Sequence, residues 1–236
     1  MGCLGFDTGV DPEIAKILAE LDSKIEESLQ NKEKEDPKKL LEEKIKERKE
    51  KLEEMKKENK KITEDEIRKL NMEEFECEID VLADKLNSMH EIFTIGLTCV
   101  DPIKKITLNK LEEKAKSAPA ITVNKINSQI EEIKNYPTID FYNSTYGKVI
   151  RDALEKKGLS ATALKVYKNN LTKERKARRK AEREEFGIEK NEFDDEKFDD
   201  PKFDLYDLVT TEYNDNLGKN YRDYCREKMI EAYISK

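Results

Sequence analysis

Apolar residues recur along this chain at steps of three and four, the period at which side chains return to one face of an α-helix. Ile14, Leu18, Leu21 and Ile25 predict a first helix over 11–30, with Asp11 able to cap it and Pro12 suited to its first turn. Leu41, Ile45, Leu52, Met55 and Ile62 predict a second helix from Asp36-Pro37 to about Lys61, its stripe interrupted by Arg48 and Asn59. The most regular stripe follows. Met72, Phe75, Ile79, Leu82, Leu86, Met89 and Phe93 alternate steps of three and four behind a Thr63/Glu66 capping box, so 64–95 must bury that face against another helix.

Shorter helices are predicted next. One is capped near Thr107 and carries Leu108, Leu111 and Ala115; another is capped by Thr122 and carries Val123, Ile126, Ile130 and Ile133. Tyr136-Pro137 predicts an extended passage through Ile139 and Phe141. Val149, Ile150, Ala153 and Leu154 predict a helix ending at Gly158, and Ser160 is expected to cap a long one from Ala161 to about Phe186. Residues 205–235 predict one or two helices weakened at Gly218. The expected architecture is all-α: a charged helical rod over 11–62, a small bundle over 63–158, a long helix over 159–188, an acidic linker over 189–204 and a helical tail over 205–236. Its helices are expected to be elongated and coiled-coil-like, and the acidic segment irregular.

Composition supports long helices over a single thick core. Of 236 residues, 36% are hydrophobic and 42% charged, with no Trp, few Gly and few Pro. Residues 32–66 hold thirteen basic and thirteen acidic side chains, and Glu42/Lys46, Glu47/Lys51 and Glu53/Lys57 stand at helix-favourable spacing. Each such pair adds only about 0.2–0.5 kcal/mol, which favours a solvated helix without fixing a fold. The near balance of 46 basic and 53 acidic residues argues against a chain that coats nucleic acid.

Charge is uneven locally. Residues 173–183 carry Lys173, Arg175, Lys176, Arg178, Arg179, Lys180 and Arg183 against two glutamates, a candidate contact for an anionic lipid surface or the acidic face of a partner. No aromatic interleaves these cations to stack a base, so nucleic acid ranks last. The sign then reverses over 184–204. A short repeat there places Phe193, Phe198 and Phe203 five apart among aspartates, a candidate docking element for a protein partner.

Catalytic chemistry has little footing. Cys3, Cys77, Cys99 and Cys225 are widely spaced and His90 is the single histidine, so no metal set or redox pair forms by spacing, and no cofactor is expected. No apolar run long enough to span a bilayer and no secretory leader are seen, and a cytoplasmic, reducing location is expected.

The opening Met1-Gly2-Cys3-Leu4-Gly5 resembles the amino terminus of stimulatory G-protein α subunits and of acylated Met-Gly-Cys starts in general. The resemblance covers five residues and implies a palmitoyl group on Cys3, with a second lipid on Gly2, as a membrane tether. Phe6 stands where the myristoylation motif has Ser or Thr, and no Gly-x-x-x-x-Gly-Lys-Ser/Thr occurs, so the chain is not itself such a subunit.

These features imply a non-enzymatic structural adaptor, tethered at Gly2 and Cys3 and joining helices to a cytoskeletal or membrane-associated assembly. Two alternatives remain: a microtubule- or axoneme-associated protein without lipid, and a regulatory module docking through the Phe repeat. Oligomeric state is open, because the 72–93 stripe can close on its own chain or on a copy.

Overall fold

The computed structural model describes residues 10–30, 37–58, 62–188, 204–211, 213 and 218–234. All regular structure among them is helical: α1 Pro12–Gln30, α2 Pro37–Lys57, α3 Glu64–Leu97, α4 Val100–Ser117, α5 Ala120–Asn135, α6 Thr138–Asn143, α7 Lys148–Lys156, α8 Ala161–Phe186, α9 Leu205–Val209 and α10 Tyr221–Ile234.

Two compact units divide the chain. The first comprises the described residues of Met1–Lys32 with Glu91–Ser160; the second comprises those of Glu33–His90 with Ala161–Lys236. The segment 63–158, expected as one bundle, is therefore shared between them, and the division falls within α3. Contacts between residues distant in sequence decide this grouping, and such contacts leave no mark in local periodicity.

In the first unit α4 packs against α1, α5 and α6, and α6 packs against α7. Leu18, Leu21 and Ile25 bury the α1 stripe, as its spacing requires. Asp11 caps α1 by accepting from the backbone N–H of Glu13 at 2.8 Å. Ile126, Ile130 and Ile133 bury the face of α5. Gly147 brings α6 and α7 together: a Cβ there would collide with the carbonyl oxygens of Tyr142 and Phe141.

Three expectations here are corrected. Thr107 starts no helix; α4 begins at Val100, and the Thr107 hydroxyl donates to the Ile103 carbonyl within the helix at 2.8 Å. Thr122 is not a cap either, since α5 begins at Ala120 behind Pro119. The passage through Ile139 and Phe141 is the helix α6, which buries Phe141 and Tyr142. Pro137 restricts the residue before it, yet itself suits the entry to a helix.

In the second unit α2 packs against α8. Leu41, with Ile45 beside it, meets Cys77 and Val81 of α3 and Tyr167 and Leu171 of α8. Leu52 joins Ile67 and Leu70, with Phe186 and Ile188 against them. So α2 is not the wholly solvated rod that its charge pattern predicts: it holds one face inward, and its outer face carries pairs such as Lys44–Glu47 at 2.7 Å. The Thr63/Glu66 capping box forms, Thr63 N–H donating to Glu66 at 2.9 Å and Glu66 N–H donating to the Thr63 hydroxyl at 3.3 Å.

Candidate functional site

The apolar stripe of α3 turns inward: Phe75, Ile79, Leu82, Leu86, Met89 and Phe93 are buried, and Met72 is half-buried. A second stripe on the same helix is buried as well, and it is polar. Asn71, Glu74 and Glu78 stand at steps of three and four, the spacing of the apolar set, and each is almost fully enclosed.

Facing them from α8 are Arg175 and Arg179, 1% and 2% exposed, with Glu182 one turn on. Arg175 pairs with Glu78, and its guanidinium lies 5.4 Å from the centre of the Phe75 ring. Arg178 pairs with Glu74. Arg179 donates to the Asn71 carbonyl at 3.3 Å and lies 3.7 Å from Glu74. The third helix supplies Arg48, whose Nε donates to Glu182 at 2.9 Å and lies 3.7 Å from Glu74. Arg48 is the residue that interrupts the α2 stripe. It occupies the inward position because a carboxylate meets it there.

The result is a buried cluster drawn from three helices. Burying a charge costs several kcal/mol unless a partner and hydrogen bonds compensate, and each member here has an opposite charge from another helix within reach. At Glu78 burial pushes the carboxyl up to about 7, the Arg175 guanidinium opposing and the Glu74 carboxylate reinforcing that rise. A cavity of about 10 Å³ touches the cluster at Arg48 and Glu74, room for no more than one water-sized molecule.

This corrects the reading of 173–183 as an outward cationic face. Arg175 and Arg179 are enclosed and Arg178 turns to Glu74, while Lys173, Lys176 and Lys180 lie exposed and Arg183 half-buried. The physical reason is helical phase: Arg175, Arg179 and Glu182 share the face that packs on α3, and the lysines fall on the other. Asn71, Glu74, Glu78, Arg48 and Glu182 were not legible as members of a site from apolar periodicity. A polar set at heptad-like spacing on two helices of opposite sign is the signal that finds them.

His90 is half-buried. Its Nδ1 lies 2.9 Å from the Val209 carbonyl, and since a carbonyl only accepts, Nδ1 carries the proton. Its ring stacks on Tyr221 at 3.8 Å between centroids, with Tyr213 edge-on. Arg222 of α10 donates to Asp84 at 2.7 Å and Arg226 donates to Asp80 at 2.9 Å, which joins α10 to α3. Cys77, Cys99 and Cys225 are buried free thiols; burial raises all three, Cys225 to about 11, which keeps them protonated and poor as nucleophiles. Gly2 and Cys3, and likewise Phe193, Phe198 and Phe203, lie outside the described residues.

Among the described residues no group of three or more His, Cys, Asp or Glu is arranged to hold a metal ion, and no helix is long and apolar enough to cross a membrane. Comparisons with models of known protein families, with curated proteins and with solved structures return no match.

Proposed function

We propose that this chain is a non-enzymatic helical scaffold that presents its helices to protein partners of a cytoskeletal or membrane-associated assembly. The observation that carries this reading is the use made of the buried ionisable groups. Arg48, Glu74, Glu78, Arg175, Arg179 and Glu182 engage one another across α2, α3 and α8. Charges spent in this way set the register of helices. The elongated, coiled-coil-like habit expected of the helices and the irregular character expected of the acidic segment belong to the same reading.

A lipid tether at Gly2 and Cys3 is the membrane arm of the proposal, and it rests on the opening five residues alone. Intact mass and membrane fractionation of the chain made in eukaryotic cells test it, with Gly2→Ala and Cys3→Ser alongside. Added acyl mass that vanishes in the variants, with a shift out of the pellet, supports the tether; an unmodified chain outside the membrane fraction ends it.

Exposed Lys173, Lys176 and Lys180 on α8 favour a second reading, attachment to an anionic filament such as a microtubule without lipid. Salt-sensitive co-pelleting that survives Cys3→Ser and is lost in Lys173→Glu/Lys176→Glu/Lys180→Glu supports it. Co-pelleting unchanged by the triple variant removes these lysines from the account.

A further inference from the structure

The hairpin formed by α4 and α5 bears, at its bend, the most exposed large apolar side chain among the described residues, Ile121. From Lys114 to Ile130 there are three lysines, Lys114, Lys116 and Lys125, and no carboxylate, in a protein of net charge −7. At the bend, 117–123 reads Ser-Ala-Pro-Ala-Ile-Thr-Val, without a charge in a chain that is 42% charged. Pro119, Ala120 and Ile121 are all exposed, and so are the three lysines. Ile121 is 93% exposed, whereas Val166, the next most exposed large apolar side chain among the described residues, stands at 52%.

A single apolar side chain in water is ordinary. This one crowns an uncharged bend collared by cations, and the fold has no use for it, since the inner faces of the hairpin are already covered by Val100, Ile103, Ile126, Ile130 and Ile133. A purely acidic protein face would call for the lysines and leave the isoleucine unexplained. The boundary of an anionic bilayer accounts for both: apolar side chains enter the edge of the acyl region and lysines remain at the headgroups. We propose that the hairpin tip 117–123 inserts into an anionic lipid surface, Ile121 entering the acyl boundary while Lys114, Lys116 and Lys125 hold the headgroups. This site requires no acyl group on Gly2 or Cys3, so it stands or falls separately from the tether.

The test is co-sedimentation of the full-length chain, made in bacteria and therefore unacylated, with phosphatidylcholine vesicles lacking or containing phosphatidylserine. Binding is expected only with phosphatidylserine and should weaken as salt rises. Ile121→Asp should reduce the partition coefficient about tenfold or more. Replacing the three lysines by Gln should reduce it about fivefold each, roughly a hundredfold together. All four positions lie in solvent, so the variants should keep the wild-type thermal melt, which separates loss of the site from loss of the fold. Gly2→Ala and Cys3→Ser should bind as wild type. The proposal is overturned by equal binding to both vesicles or by undiminished binding of Ile121→Asp. It is equally overturned if vesicles are ignored while a concentration-dependent dimer dissolves on Ile121→Asp, because a second copy then covers the tip.

Discussion

Glu78 is enclosed on α3, 3% exposed, against Arg175, and its carboxyl titrates near 7 instead of its ordinary 4.5. The native state thus holds this proton more tightly than the unfolded chain does. Below 4.5 both states are protonated and the stabilisation is fully present. Between 4.5 and about 7 only the native state keeps the proton, so stability falls as pH rises and the contribution is gone above 7. A tenfold change in proton affinity is about 1.4 kcal/mol, which makes the whole effect about 3 kcal/mol. Glu78→Gln imitates the protonated form and retains an oxygen that accepts from Arg175. Urea unfolding at pH 5.5 and 8 should show the wild type losing stability toward pH 8, the Gln variant nearly flat, and the variant more stable than wild type at pH 8. If Glu78 instead served Arg175 chiefly as a charged partner, Glu78→Gln at pH 8 would destabilise by about 3–5 kcal/mol and the wild-type slope would be absent. That result would refute the argument that burial dominates.

Other outcomes follow from the same packing. Glu74, within reach of Arg48, Arg178 and Arg179, should be costlier to neutralise: Glu74→Gln should lose about 3–5 kcal/mol in chemical denaturation, because three guanidiniums are left with less negative charge among them. Gly147→Ala should lose about 1–3 kcal/mol or more, since its Cβ would press on backbone carbonyls that cannot rotate away, whereas Gly96→Ala meets the side chain of the buried Leu154, which can shift at some packing cost, and should lose less; thermal melts of the two compare them. Asp84→Asn should loosen α10 by no more than about 1 kcal/mol, as the Arg222 pair is a third exposed. Faster amide exchange confined to α10, with the wild type approaching the variant at high salt, is the expected readout.

Much of the helical pattern was legible because it is written in local terms. Asp11 caps α1, Thr63 and Glu66 cap α3, and the stripes of α1, α3 and α5 bury where three-and-four spacing puts them. Failures came where a local cue had two readings. Thr107 and Thr122 resemble caps, yet a threonine inside a helix satisfies its hydroxyl on the preceding turn as Thr107 does. Pro137 marks a break and equally an entry, and α6 took the second option.

The sequence by itself determined that this chain is helical, where most helices lie and which apolar face each must cover, since periodicity, caps and breakers act within a few residues. Tertiary structure alone decided which helices share a unit and what becomes of the charges. Arg48 interrupts a stripe and Arg175 and Arg179 belong to a cationic run when each helix is taken alone; they become core residues only because Glu74, Glu78 and Glu182 arrive from other helices to meet them. Whether a charge is solvated or buried depends on a partner up to 134 residues away along the chain, and no local pattern carries that information.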